Sequence, residues 1–145
     1  MSIPDASVVQ RLLFEHAVLR VLLGRLSDAA KRTAKDESAV QDLRDAQRTL
    51  QTVLEAHAHN EEVVFGPRLD KDTARLHRLR SGHRRVLQAL RTAATSPPRR
   101  FASSTKRLAL LLLASLAAEE RELLEPASVR SNAQRVQADL ANART

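Results

Sequence analysis

The sequence predicts an all-α protein, an antiparallel four-helix bundle with a short fifth helix at the C-terminal end, and three observations support it. Only three glycines and five prolines occur in 145 residues, so few positions interrupt or end a helix. Apolar residues recur every three or four positions along four long segments, as on the buried face of a helix. The breaks between these segments are short, which makes consecutive helices antiparallel neighbours.

Turn and cap signals give the helix boundaries. Asp36 or Ser38 is a plausible N-cap for the second helix, "GP" ends it, Asp70 or Asp72 begins the third, and "TSPPRR" separates the third from the fourth. The predicted helices cover residues 6–27, 38–65, 70–95, 101–125 and 128–143. At this length we expect residues 1–145 to form one domain, with the core helices at about 6–126 and a C-terminal helix or tail at 127–145.

Composition excludes several kinds of chemistry. Cysteine, tryptophan and tyrosine are all absent, so disulfides, thiolate metal sites and cysteine nucleophiles are ruled out. The first residues lack a basic stretch followed by an apolar one, the pattern of a secretory signal, and we expect a cytoplasmic protein. The longest apolar run, "LALLLLASLAA" at 108–118, suits a buried helix and is too short to cross a bilayer, so we expect no membrane partner.

The net charge of +7 is concentrated in the third predicted helix and its flanks. Ten of the basic residues and only two acidic ones, Asp70 and Asp72, lie between positions 68 and 100. Such a face is usually solvated, but it can attract an anionic partner. No nucleic-acid-binding motif accompanies it and the only aromatic residues are three phenylalanines, which argues against nucleic-acid binding.

An internal repeat divides the chain into two helix hairpins. The segments "RLLFEHAVLRVLLGRL" (11–26) and "RLRSGHRRVLQALRT" (78–92) each carry one histidine in the middle of a leucine-rich helix. The segments "LEAHAHNEEVVFGP" (54–67) and "LASLAAEERELLEP" (113–126) each carry a pair of glutamates and end in proline. We therefore expect a pseudo-twofold bundle in which equivalent positions meet near the axis.

Ionisable residues stand at inward positions where leucine would be expected. In helical register with the apolar stripes these are His16, His57, Glu61, His83 and Glu120. Burying several such groups without partners would cost a few kcal/mol each. A metal ion would satisfy all of them together, and a buried hydrogen-bonded network is the alternative. His59 and His77 lie off the inward face, so we expect them at the surface.

This arrangement resembles the hemerythrin-like HHE family. The matching segments are "EHAVLRVLLGRL", "HAHNEEVVFGPRL", "GHRRVLQAL" and "EERELLEP". The resemblance implies an antiparallel four-helix bundle that encloses a non-haem di-iron centre. It also implies that His16, His57 and His83 are terminal ligands and that Glu61 and Glu120 bridge the irons.

The sequence departs from the family pattern in the fourth helix, where a second His-x-x-x-Glu is expected. Alignment on Pro67 and Pro126 places Leu116 at the histidine position, whereas alignment on the two acidic pairs places Ser115 there. Glu119 is the nearest spare carboxylate and a possible substitute ligand. One iron would then lack a donor, which leaves an open position, a weakly held second metal or a single-metal site.

The expected function is that of a non-haem iron protein, a monomer or homodimer, that binds or responds to dioxygen, peroxide or nitric oxide. Two alternatives stay open. The bundle could have a degenerate site and act as a binding or regulatory protein, through the arginine-rich third helix for example. It could also be an oxygen-activating enzyme with an oxidoreductase or peroxide-decomposing activity, in which the vacancy at Leu116 admits a substrate.

Overall fold

A computed structural model of the chain describes residues 5–143, so residues 1–4 and 144–145 of the predicted domain lie outside the described part. The described residues form helices and no strand. The five α-helices are α1 (Ala6–Lys35), α2 (Val40–Phe65), α3 (Thr73–Ala94), α4 (Pro98–Glu119) and α5 (Glu125–Ala143). Short 3₁₀ turns lie at Glu37–Ala39 and Pro67–Leu69, and a π-helical segment, Glu120–Leu124, joins α4 to α5.

The first four helices form a closed ring. Helix α1 packs against α2 and α4, and α3 packs against the same two helices from the other side. Helix α5 lies outside this ring, against α1 and the π segment. The predicted all-α bundle with a short C-terminal helix is confirmed.

Helix α1 continues well beyond the predicted end at Leu26–Ser27. The polar stretch that follows keeps an inward face, because Ala29, Ala30 and Thr33 are buried at helical spacing. Asp36 then leaves the helical conformation and its carboxylate accepts a hydrogen bond from the Ser38 amide. The predicted end of this helix was too early, because the polar residues after Ser27 indicate a loop. Small residues such as alanine and threonine can form the buried face of a helix without a large apolar side chain.

The fourth helix differs from prediction at both ends. It begins at Pro98, where the fixed φ of proline suits the first helical turn, and it does not stop before Pro126. The wider π turn carries the chain through: the amide of Glu125 donates to the carbonyl of Glu120, five residues back. Proline has no N–H for the carbonyl of Glu122, and this carbonyl accepts a hydrogen bond from the Arg75 guanidinium instead, at 3.1 Å.

The core consists of two apolar clusters separated by a polar layer. The larger cluster includes Leu19, Leu54, Val86 and Leu116, and the smaller one includes residues from the other end of the same helices, such as Leu12, Phe65, Leu79 and Leu123. On each helix the predicted inward polar residue lies between a residue of one cluster and a residue of the other. The bundle therefore encloses its polar layer with apolar packing above and below.

Within the described residues, one helical span is long and apolar enough to cross a membrane by length and composition. It is Pro98–Arg130, with a mean hydropathy of 1.3 in its most apolar window. One third of that window is buried in the bundle, and its inward residues, Leu108, Leu112 and Leu116, belong to the larger core cluster. This part of the helix thus supplies one wall of the core.

Candidate metal centre

Three histidines from three helices converge on the carboxylate of Glu61. His16 on α1, His57 on α2 and His83 on α3 are all buried, and Glu61 has no solvent exposure. Its Oε1 atom lies 2.5 Å from the Nε2 atom of His57, 3.3 Å from that of His83 and 3.7 Å from that of His16. These four residues, which share inward positions in the helical register read from the sequence, thus lie together in one layer.

Glu119, at the end of α4, supplies the second carboxylate of this layer. Its Oε1 atom lies 2.8 Å from Nε2 of His83. Its Oε2 atom faces the other two histidines, 3.1 Å from Nε2 of His16 and 3.9 Å from Nε2 of His57. The two oxygens of one carboxylate therefore point toward two different sets of nitrogen donors.

The inward atoms of this layer have the geometry of a metal site. One donor atom from each of His16, His57, Glu61 and Glu119 lies within 4.8 Å of all the others. Nε2 of His16, Nε2 of His57 and one oxygen of each carboxylate are buried and close together, but they form no well-aligned hydrogen bond among the described residues. Buried polar atoms are nearly always satisfied in folded proteins, and a cation between these atoms would satisfy them together.

An outer ring of three carboxylates holds the other nitrogen of each histidine. The Nδ1 atom of His16 lies 2.8 Å from Glu120, that of His57 lies 2.7 Å from Glu15, and that of His83 lies 3.3 Å from Glu62. An Nδ1–H that donates to a carboxylate leaves the Nε2 lone pair directed inward, which is how histidines are oriented in metal sites. Each outer carboxylate contacts a histidine on a neighbouring helix. A glutamate of α1 contacts the histidine of α2, one of α2 contacts the histidine of α3, and one of the π segment contacts the histidine of α1.

Each carboxylate of this outer ring is in contact with an arginine. Arg20 contacts both oxygens of Glu120, at 2.7 and 2.8 Å. Arg11 lies 3.4 Å from Glu15 and Arg80 lies 3.5 Å from Glu62. Asn60 also donates to Glu15, at 3.1 Å. Every inward histidine thus begins a chain of imidazole, carboxylate and guanidinium that ends at the surface.

The structure places Glu120 and Leu116 differently from our sequence prediction. Glu120 lies outside the layer, behind His16, and Glu119 occupies the inward position. Leu116 is buried among the leucines of the larger apolar cluster. The residue one turn before the inward carboxylate is therefore Ser115, so the register agrees with the alignment on the acidic pairs. The physical reason is the π turn that starts at Glu120, because it changes the helical phase at this point.

Sequence reasoning missed Glu15 and Glu62, the two other outer carboxylates. A signal was present, since each outer glutamate is adjacent in sequence to an inward residue: Glu15 precedes His16, Glu62 follows Glu61 and Glu120 follows Glu119. The neighbour that each one contacts lies on another helix, which spacing along a single helix cannot show. His59 and His77 are exposed, as predicted.

Burial and charge act on the histidines in opposite directions. Burial alone would lower the pKa of His16, but Glu119, Glu61 and Glu120 outweigh it and raise this pKa from 6.5 to about 9. The same balance raises the pKa of His57 and that of His83 to about 10. Burial would raise the pKa of Glu61 and of Glu119, but the three histidines hold both below the ordinary value. In the metal-free protein, protons on the imidazoles therefore supply the positive charge that the layer needs.

Comparison with known protein families gives a match over most of the chain. The family model described as the hemerythrin HHE cation-binding domain matches residues 7–135, a range that contains every residue of the inward layer and of the outer ring. No curated protein and no solved structure matches the chain significantly.

The raised histidine pKa values predict how the stability of the metal-free protein depends on pH. A group with a raised pKa stabilises the fold fully below its unfolded value, near 6.5, and this contribution is lost as the pH rises through about 9 to 10. The lowered pKa values of Glu61 and Glu119 remove stability on the acidic side, below their ordinary value of 4.5. The melting temperature without metal should therefore be highest between about pH 4.5 and 6.5 and should fall steadily from pH 7 to 10.

The general effect of charge has the opposite sign, which makes this test discriminating. The chain has a pI near 11.1, so raising the pH toward 10 lowers its net charge and its self-repulsion. A melting temperature that stays constant or rises from pH 7 to 10 in chelator-treated protein would show that the histidines are not held as protonated partners of the two carboxylates. His59→Gln and His77→Gln, at exposed positions, should leave the curve unchanged.

Proposed function

Because the chain belongs to the hemerythrin HHE cation-binding domain family, we propose that the inward layer binds non-haem iron and that the bound iron interacts with a small oxidant such as dioxygen, peroxide or nitric oxide. The observation that carries the proposal is the convergence of three histidine Nε2 atoms on the carboxylates of Glu61 and Glu119 in a buried layer. We further propose that this function is exercised in the cytoplasm.

The donor set agrees with iron. Imidazole nitrogen and carboxylate oxygen, with no sulfur, are the ligands of non-haem iron centres, and two histidines with one carboxylate leave coordination positions free for small molecules. When bound, iron would supply redox chemistry and those open positions. The orientation of each histidine through Nδ1 would keep its Nε2 lone pair available to the metal.

We propose that the donor atoms form two adjacent metal positions. On one side are His16 and His57 with one oxygen of Glu119, and on the other is His83 with the second oxygen. Glu61 faces all three histidines and would belong to both positions. The position beside His83 therefore has one nitrogen donor where the other has two, and it should be the weaker position and the more open one.

The protein's own residues would limit what reaches the metal. Apolar clusters close the layer at both ends of the bundle, which excludes bulk water and favours small, uncharged oxidants. The outer carboxylates hold the imidazoles in place and fix which nitrogen carries the proton. Reversible binding, sensing and peroxide turnover all use such a centre, so the proposal is limited to the shared step of oxidant binding.

Iron uptake tests this proposal directly. Anaerobic titration of ferrous iron into the chelator-treated protein should show more than one equivalent bound, the second more weakly. His57→Ala should lower the affinity by more than about 100-fold, since even outer partners of a ligand are worth 10- to 100-fold. His59→Ala, two residues away on the exposed side of α2, is the matched control and should bind like the wild type. Equal losses in both variants, or no uptake by the wild type, would contradict the proposal.

Ser115→His tests the division into a strong and a weak position. A histidine there would stand one turn before Glu119, as His57 stands one turn before Glu61, and would add the missing nitrogen donor on the α4 side. The second equivalent of iron should then bind more tightly, and iron should raise the melting temperature more than in the wild type.

Leu116→His is the control for that variant. It should lower the metal-free stability by at least about 2 kcal/mol, because Leu116 is 1% exposed in the core, and it should gain no iron affinity. A gain with Leu116→His and none with Ser115→His would restore Glu120 as the ligand and would overturn the assignment of Glu119.

A further inference from the structure

The outer ring of carboxylates is incomplete between α3 and α4. The other three neighbouring pairs are each joined by a histidine and a glutamate, His57 with Glu15, His83 with Glu62, and His16 with Glu120. At the equivalent level of α3 and α4, Gly82 faces Ser115: a Cβ atom built on Gly82 would lie 3.7 Å from the Ser115 hydroxyl oxygen. Two small residues therefore stand where the other helix pairs have large polar side chains.

A pocket fills the space that these two small residues leave. It has a volume of about 270 Å³ and lies between α3 and α4, with Gly82 and Ser115 in its wall. Its remaining wall is mostly apolar and is formed by Leu79, Val86, Leu111, Ala118 and Leu123. Glu119 also lines the pocket, so the pocket extends from the surface of the bundle to one of the two inward carboxylates.

Arginines line the α3 side of this pocket. Arg75, Arg78 and Arg85 all line it, and with Gly82 they follow one face of α3 at spacings of three and four residues. The guanidinium of Arg75 donates to the Glu122 carbonyl and lies 3.8 Å from the Asp72 carboxylate. Arg78 and Arg85 are exposed and have no ion-pair or hydrogen-bond partner among the described residues.

The carboxylates that face the pocket do not cancel this charge. Glu119 is in contact with His16 and His83, and Glu122 is the only other acidic residue in the described wall. Because Arg75 is paired with Asp72, the two unpaired guanidinium groups of Arg78 and Arg85 face one uncompensated carboxylate, that of Glu122. The pocket thus carries a net positive charge on its α3 side and is otherwise mostly apolar.

We propose that this α3–α4 pocket binds a small organic carboxylate, with its apolar body between the two helices and its anionic group at Arg78 and Arg85. An apolar wall with charged groups at one end is the usual composition of a ligand site, and a volume slightly below the roughly 300 to 1,000 Å³ of typical ligand pockets requires a small ligand. This proposal deepens the proposed function in one respect: the inner end of such a ligand would lie beside Glu119, on the side of the more open metal position.

A series of straight-chain carboxylates tests the pocket by calorimetry. Acetate, butanoate, hexanoate and octanoate would be titrated into metal-free and iron-loaded protein, with the corresponding alcohols as uncharged analogues. Affinity should rise about fourfold for each added methylene group until the pocket is full. Each carboxylate should bind about fivefold or more tightly than its alcohol, the equivalent of a solvent-accessible ion pair.

Matched variants separate the pocket from the rest of the surface. Gly82→Leu should fill the pocket and abolish binding, whereas Gly24→Leu, on an exposed part of α1 with no atom within 4 Å of the added Cβ, should not affect it. Arg85→Gln should weaken carboxylate binding about fivefold and leave alcohol binding unchanged. Arg84→Gln removes the same charge from the adjacent residue, which lies outside this pocket, and should have no effect.

The iron-loaded protein gives a second readout that does not depend on any activity. The chain has no tyrosine or tryptophan, so iron absorption bands in the near ultraviolet are easily followed. Octanoate should shift these bands in the wild type and in Gly24→Leu but not in Gly82→Leu. An unchanged affinity in Gly82→Leu, or an affinity that is the same for acetate and octanoate, would overturn the proposal.

The two proposals can fail separately. Iron uptake without carboxylate binding would refute the pocket and leave the metal centre intact. Carboxylate binding to a protein that takes up no iron would support the pocket and refute the metal centre. Carboxylates could also bind equally to the metal-free and the iron-loaded protein and leave the iron bands unchanged. This result would overturn the proposal that the inner end of the ligand lies beside Glu119.

Discussion

The burial of three imidazoles and two carboxylates in one layer is the constraint on which the rest of this structure depends. Each of these residues is at most 8% exposed, and apolar clusters close the layer at both ends. The five residues are His16, His57, His83, Glu61 and Glu119. Charged groups are tolerated in such surroundings only when they are paired and hydrogen-bonded. Protons on the histidines meet this requirement in the metal-free protein, and a metal cation held by the same Nε2 and carboxylate oxygen atoms would meet it in their place.

The outer ring explains why the layer is ordered before any metal binds. Glu15, Glu62 and Glu120 each hold the Nδ1 atom of a histidine on a neighbouring helix, and each is itself held by an arginine. The ring therefore ties α1 to α2, α2 to α3 and the π segment to α1. Between α3 and α4 this connection is replaced by Gly82 and Ser115. The layer is therefore enclosed by His–Glu pairs on three sides. On the fourth side, between α3 and α4, it borders a pocket, so the four sides of the bundle are not equivalent.

The fold and most of the layer could be predicted from the sequence, because the period of the apolar residues fixes which face of each helix is buried. His16, His57, Glu61 and His83 follow from this period alone. The fourth helix could not be resolved in the same way. Counting from Leu116 or back from Leu123, both Glu119 and Glu120 fall three or four residues away, so either agrees with a regular helix. The π turn at Glu120–Leu124 determines which of the two glutamates faces inward, and the periodicity of the sequence does not predict a π turn. Contacts between different helices, such as that of Glu15 with His57, also could not be predicted, because the apolar period of one helix does not show which residues of another helix face it.

The most direct test of the central claim is anomalous diffraction at the iron edge from crystals of the protein loaded anaerobically with ferrous iron. The account predicts anomalous density inside the bundle, in contact with Glu61 and Glu119 and with the Nε2 atoms of His16, His57 and His83. A second, weaker peak on the His83 side would show that both positions are filled. Iron bound through Glu120 in place of Glu119, or found only at surface residues outside the layer, would contradict the account.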